Sequence, residues 1–424
     1  MFVEMNRLKQ LFRSERFVVS MIIVIGLLIN VARMASNDFH IGVYDDSGSY
    51  FTSGDVIASG HIDHLRTPVY PILCHFLASI TAAHTYKIIV ILQLLFYMSS
   101  AVPMYYAVSK LTRRKRFAAI ATACYTWSPV FGGYIDLIFT ESFAISCTTY
   151  LIALLTAIVL GRHKILATIA SAAFLVFMIM LRPFFLCFAP AVLIVMLYAL
   201  YKSIHHKRYV VACIASIAGA GAVLFGYTAA YNKAYGSYSF TSVSELNRCL
   251  SLKKMQFIPT IEGLTYFGYA TQEDISGEVI YMPYSWVWQP SPQYRKMCEN
   301  IYHENFTQYI KLKFIEFLYT FLYEYTGEMN SQVLESLFHL RLGYFYLFTF
   351  IFILTELYYL FRRRACVIMS ASLALMFVGG VFTTIWGADS QFVRIMTPML
   401  PCLFVMIPIF CTRLSFTTKQ IEQP

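Results

Sequence analysis

Long apolar runs alternate with short polar segments along most of the chain. A helix that crosses a bilayer needs about 20 mostly apolar residues, and ten runs come close to that length. The pattern therefore predicts an all-α polytopic membrane protein with about ten transmembrane helices, within a range of roughly nine to eleven. The predicted spans lie at about 17–35, 88–108, 117–135, 142–160, 165–181, 184–201, 209–230, 343–361, 366–386 and 396–411.

The amino-acid composition agrees with this pattern. Of the 424 residues, 58% are apolar and 13% are charged, whereas soluble domains have about 45–50% apolar and about 25% charged residues. These values exclude a soluble globular domain and a disordered chain.

Positive charge sets the orientation of the predicted spans. Lys and Arg collect in the short cytoplasmic loops of membrane proteins, and the basic clusters fall on one side only if the short apolar piece 69–83 does not cross. We therefore expect 69–83 to form a juxtamembrane helix at the outer surface of a multi-pass plasma (inner) membrane protein with both termini in the cytoplasm. The basic clusters are Arg7 to Arg16, Lys110 to Arg116, Arg162 with Lys164, Lys202 to Arg208, Arg362–Arg364, and Arg413 with Lys419. The net charge of +10 is then a topology signal and gives no indication of nucleic-acid binding.

This topology divides the chain into three parts. Residues 1–230 form an N-terminal transmembrane module that includes an outer loop at 36–87. Residues 231–342 form an extracytoplasmic segment, for which we expect a small α-rich cap, and residues 343–424 hold the C-terminal transmembrane helices and a short cytoplasmic tail. A disulfide within the outer segment, between Cys249 and Cys298, is left open by the sequence.

Acidic residues at the predicted outer face are the first candidates for chemistry. Asp45 and Asp46 directly follow the first span, where a carboxylate can act as a general base towards a hydroxyl or an amine. The alternative is an exposed loop or a helix N-cap. Asp136 and Glu141 lie at the outer ends of the third and fourth spans, where ionisable groups are costly and are functional candidates by default. Their alternative is a water-exposed turn.

Three isolated arginines break the pattern of positive charge on the inner side. Arg66 begins the sequence RTPVYP, Arg182 precedes Pro183, and Arg394 lies in QFVRIMTPMLP. A guanidinium group can hold a phosphate through two parallel hydrogen bonds. The alternative is an interfacial arginine that contacts lipid headgroups.

Other kinds of site receive less support from the sequence. His61 and His64 share the first outer loop with Asp55 and Asp63, which leaves a metal site open, but no clear cluster with metal-ligand spacing occurs and we expect no metal. No phosphate-binding glycine motif of the Walker or dinucleotide type is present, which disfavours an ATP-driven pump. The candidate polar residues gather at one face instead of following a path through several spans, which favours an enzyme over a transporter.

The order of these features resembles the GT-C superfamily of membrane glycosyltransferases, in particular the branch of protein O-mannosyltransferases and aminoarabinose–lipid A transferases. The resemblance covers residues 17–230 well and the C-terminal third loosely. The chain departs from the family pattern in having Asp45-Asp46 where relatives often have Asp-Glu, and Pro68-Val69 in place of a common Pro-Gly pair. The matching motifs are Asp46 four residues before Tyr50, the RTPVYP segment at Arg66, the basic loop Arg113–Arg116, Thr140-Glu141, Arg182-Pro183, and Arg394 followed by Pro398 and Pro401.

The resemblance implies an inverting enzyme that moves a sugar from a polyprenyl-phosphate donor to an envelope glycan, lipid or protein acceptor at the extracytoplasmic face. It implies that Asp46 is the general base, with Asp45 as alternate or helper, and that Glu141 orients the acceptor or the base. It also implies donor phosphate contacts for three arginines and no need for a metal or another cofactor. The complete set of predicted substrate-binding residues is Arg66, Tyr50, Asp136, Arg182 and Arg394.

Two alternatives remain open at this stage. The first is a flippase or transporter of lipid-linked glycans. The second is an envelope polysaccharide polymerase or ligase, which is disfavoured because acidic residues outnumber basic ones in the long outer segment 231–342.

Overall fold

The computed structural model describes residues 14–243, 247, 299–300, 302–320, 342–360, 367–387 and 392–421. Within these residues 84% of the chain is helical and no β-strand occurs, which confirms the predicted all-α class. Most of the predicted cap at 231–342, including Cys249 and Cys298, lies outside the described residues.

The N-terminal module begins with a long apolar helix and two short ones. These are followed by further helices, two of which together form one continuous segment, Thr85–Thr112. The helices are α1 (Glu15–Ser36), α2 (Asp45–Ala58), α3 (Val69–Thr81), α4 (Thr85–Ser99), α5 (Ala101–Thr112), α6 (Lys115–Thr126), α7 (Pro129–Gly132), α8 (Glu141–Val159), α9 (Lys164–Leu181), α10 (Ala189–Lys202) and α11 (Lys207–Tyr235).

Five further helices are described in the C-terminal half. Two of them, α14 and α16, pack against the N-terminal module, so both parts of the chain share one hydrophobic core. The helices are α12 (Phe306–Thr320), α13 (Leu342–Leu360), α14 (Val367–Gly387), α15 (Phe392–Met396) and α16 (Pro401–Ile421).

Seven segments of the described chain are long and apolar enough to cross a membrane. Three shorter apolar helices lie at Val69–Thr81, Gly343–Tyr358 and Pro401–Arg413. The total of ten spans therefore stays a prediction. The seven segments are Glu15–Ser36, Thr85–Thr112, Glu141–Val159, Lys164–Leu181, Pro183–Lys202, Lys207–Tyr235 and Val367–Gly387.

The structure shows that the predicted span at 117–135 is not one continuous helix. Helix α6 has 12 residues and ends at Thr126, so it is about 18 Å long, well short of a bilayer core. The helix does not continue because Pro129 disfavours helical backbone at the residue before it, and Ser128 is extended, with φ of −62° and ψ of 121°.

Two short helices, α2 and α3, lie in the first loop, for which the sequence predicts a juxtamembrane position. Helix α3 has 13 residues and is therefore about 20 Å long, too short to cross. The two helices pack closely because α2 has a glycine at the crossing point: a Cβ atom at Gly54 would lie 2.6 Å from the carbonyl oxygen of Pro71.

The segment before α2 is fixed to the buried segment before α8. The amide of Gly42 donates to the carbonyl of Asp136 at 2.9 Å, and the amide of Ile138 donates back to the carbonyl of Gly42 at 3.1 Å. A Cβ atom at position 42 would lie 2.4 Å from Cδ2 of Leu137, so any other residue here would force that side chain to move. The buried side chain of Gln93 also donates to two carbonyls of this segment. These contacts bring the beginnings of α2 and α8 together.

Candidate active site

Five of the charged residues predicted from the sequence form one continuous chain of ion pairs, which we call the arginine–carboxylate cluster. Its members, in order of contact, are Arg66, Asp46, Arg394, Glu141 and Arg182. Oδ1 of Asp46 accepts from Nη2 of Arg66 at 2.6 Å, and Oδ2 accepts from Nη1 of Arg394 at 2.7 Å. Oε1 of Glu141 lies 2.5 Å from Nε of Arg394 and 2.9 Å from Nη1 of Arg182.

Asp46 lies in the first turn of α2, and Glu141 is the first residue of α8. Carboxylates are favoured at both places because the amino end of a helix carries partial positive charge. Ser47 holds the two helix ends together, since its hydroxyl donates to the carbonyl of Ile138 at 3.1 Å and accepts from the amide of Tyr44 at 3.0 Å. The local sequence thus builds the contact between Asp46 and the arginines beside Glu141.

Arg66 is held in a tight turn by the buried carboxylate of Asp63, which the sequence analysis considered only as a possible metal ligand. Oδ2 of Asp63 accepts from the amides of Leu65 and Arg66, at 2.9 and 2.6 Å. The same oxygen accepts from the hydroxyl of Ser53, at 2.9 Å, on α2. Asp63 therefore ties the backbone of Arg66 to the helix that carries Asp46.

Hydrogen bonds from the C-terminal end of α11 and from Ser242 also hold the turn that contains Arg66. The hydroxyl of Tyr231 donates to the carbonyl of His64 at 3.0 Å, and the hydroxyl of Tyr235 donates to the carbonyl of Ile62 at 2.5 Å. The amide of Ser242 also donates to the carbonyl of His64 at 2.7 Å. The position of Arg66 thus depends on contacts from three separate parts of the chain.

Two of the guanidinium groups lie against aromatic rings. The Cζ atom of Arg66 is 4.7 Å from the ring centre of Tyr50, and that of Arg394 is 3.8 Å from the ring centre of Phe139. Such stacking is favourable for a desolvated cation. Tyr50, which the sequence placed among the substrate-binding residues, lies beneath Arg66, and burial raises the pKa of its phenol.

The two carboxylates of the cluster differ in their access to solvent. The side chain of Asp46 is 28% exposed, and that of Glu141 is 0% exposed. A substrate can therefore reach Asp46 directly, whereas Glu141 contacts Arg182 and Arg394 from within the protein.

Electrostatics keep the cluster ionised. Burial acts to raise the pKa of Asp46, but Arg66 and Arg394 outweigh it and hold this pKa well below its usual range. Burial acts to lower the pKa of Arg394, but Glu141 and Asp46 outweigh it and raise this pKa above its usual value. The three guanidinium groups and two carboxylates together leave one net positive charge.

The structure does not bring every predicted site residue into this cluster. Asp136 pairs with Arg33 at the end of α1, with Oδ2 and Nη1 2.9 Å apart. The side chain of Asp45 lies outside the described part of the chain, so its predicted role stays a prediction.

The metal site that the sequence left open is not assembled. Asp63 accepts hydrogen bonds from the backbone of the turn at Arg66. Asp55 pairs with His75, with Oδ1 and Nδ1 2.7 Å apart. In the part of the chain that the structure describes, no group of three or more His, Cys, Asp or Glu side chains could hold a metal ion.

The sequence analysis did not select Arg33, Ser49 or Gln93, and it considered Asp63 only as a possible metal ligand. Arg33 and Asp63 are charged residues at a span end and in an outer loop, where charge is ordinary, so no local signal separates them from exposed neighbours. Gln93 could have been selected from the sequence, since it is a polar residue within an apolar run.

Comparison with solved structures shows a similar fold. The structure matches the crystal structure of the Archaeoglobus fulgidus oligosaccharyltransferase in the apo form with a TM-score of 0.50 and 12% sequence identity, over 95% of this chain and 51% of that chain. The chain has a GT-C-type fold. A second crystal structure of the same enzyme, in complex with Zn and sulfate, gives a TM-score of 0.49 and 13% identity, over 95% and 49% of the two chains.

Because the sequence identity is low, this likeness shows the GT-C-type fold and nothing about the activity of the chain. The chain spans about half the length of the oligosaccharyltransferase that it matches. No protein-family model and no curated protein matches the sequence. The branch of the superfamily that the sequence resembles is therefore part of the proposal that follows.

Proposed function

We propose that the chain is an integral membrane glycosyltransferase of the GT-C type that transfers a sugar from a polyprenyl-phosphate donor at the extracytoplasmic face. The acceptor is a hydroxyl or amine of an envelope glycan, a lipid or a protein. The observation that carries this proposal is the arginine–carboxylate cluster, in which a partly exposed Asp46 lies between two guanidinium groups at one end of the apolar helices.

The donor class follows from the surroundings of the cluster. A polyprenyl chain is apolar and needs a bilayer or an apolar groove, whereas its phosphate needs cationic partners. Arg66, Arg182 and Arg394 provide three guanidinium groups where the spans end. The cluster has one net positive charge, which matches the single negative charge of a phosphate that joins a polyprenol to a sugar. This match favours the branch of protein O-mannosyltransferases and aminoarabinose–lipid A transferases that the sequence resembles.

The transfer step assigns a role to each member of the cluster. Asp46 accepts the proton of the acceptor, whose oxygen or nitrogen forms a bond to the anomeric carbon from the face opposite the phosphate. The bond from the anomeric carbon to the phosphate oxygen breaks, and its electron pair stays on that oxygen. Arg66, Arg394 and Arg182 stabilise the charge that develops on the leaving phosphate.

Glu141 acts through the arginines in this proposal. Its buried carboxylate contacts Arg394 and Arg182 and holds both guanidinium groups in position. No metal or other cofactor takes part in the proposed step.

A donor-cleavage assay tests the proposal against a transporter. The full chain is reconstituted in vesicles with a polyprenyl-phosphate sugar that is radiolabelled in the sugar, together with a membrane extract of the source as acceptor. We expect labelled acceptor and free polyprenyl phosphate in equal amounts. Movement of intact labelled donor across the bilayer without cleavage would instead establish a flippase. Consumption of a diphosphate-linked glycan, and of no monophosphate-linked sugar, would establish a polymerase or ligase.

A further inference from the structure

The guanidinium groups that are proposed to bind the donor phosphate are already bound to carboxylates of the chain itself. Asp46 uses one oxygen for Arg66 and the other for Arg394. Each carboxylate oxygen of Asp46 is therefore paired with a cation in this structure, and a carboxylate in two ion pairs is a weak proton acceptor. A base in this state has to lose those contacts before it can act on an acceptor.

We propose that Asp46 is an internal anion that the donor phosphate displaces from Arg66 and Arg394, so that Asp46 becomes an active base only after the donor has bound. This inference rests on the proposed function and adds an order of binding to it: donor first, acceptor second. Three independent features of the cluster support it.

The first feature is the way in which the two guanidinium groups are anchored. Nε of Arg66 donates to the hydroxyl of Ser49 at 2.8 Å, and Nε of Arg394 donates to Glu141. The terminal nitrogens Nη2 of Arg66 and Nη1 of Arg394 donate to Asp46. Together with their aromatic neighbours, these anchors hold both guanidinium groups in place when Asp46 leaves.

The second feature is the difference between the two carboxylates. Asp46 lies near the surface with 28% of its side chain exposed, whereas Glu141 is fully buried. An incoming phosphate can therefore compete with Asp46, while Glu141 keeps its contacts. The exchange removes one anion from the arginines and supplies another, so no guanidinium group is left without a partner.

The third feature is the balance of charge through the reaction. The cluster with one net positive charge neutralises a donor phosphodiester with one negative charge. When Asp46 takes the acceptor proton, the cluster gains one positive charge. The leaving polyprenyl phosphate is then a monoester with about two negative charges at neutral pH. The site is thus close to neutral before and after transfer, which avoids the cost of an unpaired charge in a poorly solvated place.

Binding of farnesyl phosphate to the full chain in detergent micelles, measured by isothermal titration calorimetry, tests the exchange. Removal of a competing anion makes phosphate binding stronger, so we expect Asp46→Asn and Asp46→Ser each to tighten binding by about tenfold, equivalent to about 1.4 kcal/mol. Asp55→Asn is the matched control because Asp55 lies on the same helix, is 72% exposed and pairs with His75. It should bind as the wild type does. The thermal midpoint of each variant establishes that it is folded.

The outcomes separate this inference from the proposed function. Unchanged or weaker binding in a folded Asp46→Asn or Asp46→Ser protein would overturn the exchange. Arg66→Gln and Arg394→Gln should each weaken binding by at least about tenfold, because each loses a charged contact. If they do so while the Asp46 variants bind like the wild type, the donor site stands and the exchange is wrong. If neither arginine variant changes the affinity, the phosphate site of the proposed function is wrong, and the exchange is wrong with it.

Discussion

Glu141 and Arg394 are 253 residues apart in the sequence and form the shortest ion pair of the arginine–carboxylate cluster, with Oε1 and Nε separated by 2.5 Å. Glu141 begins α8 in the N-terminal module, and Arg394 lies on α15 near the C-terminus. The site is therefore built from both ends of the chain, and the C-terminal helices are part of it.

Loss of the Glu141 carboxylate is expected to destabilise the protein as well as the site. In Glu141→Ala, Arg394 and Arg182 lose their buried anion, and breaking a buried pair in this way costs about 3–5 kcal/mol. We expect a clearly lower thermal midpoint and weaker farnesyl phosphate binding, both measured on the purified full chain. Glu304→Ala removes an exposed carboxylate and should change neither. Equal thermal midpoints for the two variants would contradict the structural role given to Glu141.

Asp63 is expected to act on donor binding through the backbone of Arg66. Asp63→Ala removes the acceptor of three hydrogen bonds, so the turn relaxes and we expect farnesyl phosphate affinity to fall by about tenfold. Asp63→Asn keeps an acceptor oxygen and should restore most of the affinity, whereas Asp55→Ala should have no effect. A purely structural role would lower the thermal midpoint of Asp63→Ala and leave its phosphate affinity at the wild-type value.

The ion pairs of Asp46 are expected to survive mild acid. Its pKa is lower in the folded protein than in the unfolded chain, so its contribution to stability is fully present above the unfolded value of about 4. That contribution is lost only as pH falls through the lower folded value. Thermal midpoints from pH 8 to pH 3 should therefore show an acid-induced decrease below about pH 4 that is smaller in Asp46→Asn. An Asp46-dependent decrease between pH 5 and 7 would disagree with the two-arginine environment.

The predicted orientation can be tested with single cysteines in a background without the native ones. Ser59 is exposed after α2, and Arg162 is exposed between α8 and α9. In intact cells, a membrane-impermeant maleimide should label Ser59→Cys at once and Arg162→Cys only after permeabilisation. The reverse result would place the cluster on the cytoplasmic side and remove an extracytoplasmic donor from the account.

Much of the cluster could be predicted from the sequence, because its residues break the surrounding pattern. Asp46, Glu141 and the three arginines are isolated charges at the ends of apolar runs, and the topology placed all of those ends at one face. Their pairing could not be predicted, since the contacts between Asp46, Glu141 and Arg394 join distant parts of the chain.

Other features depend on local details that a hydropathy pattern does not contain. The prediction of a continuous span at 117–135 was wrong because the apolar run hides the break at Pro129. Asp136 met the same criterion as Glu141, namely a charge beside an apolar segment, but it pairs with Arg33 and not with the cluster. The side chains of the two acids point to different partners, and sequence spacing does not determine the direction of a side chain in an irregular segment.

The central claim is that Asp46 is the base of a sugar-transfer reaction, and the rate of sugar transfer in Asp46→Asn tests it most directly. Wild-type, Asp45→Asn and Asp46→Asn proteins are compared at equal amounts in vesicles with the labelled polyprenyl-phosphate sugar and the acceptor extract. We expect Asp46→Asn to lose at least about a hundredfold in rate while it remains folded and binds farnesyl phosphate more tightly than the wild type. Transfer at the wild-type rate by the folded Asp46→Asn protein would contradict the account.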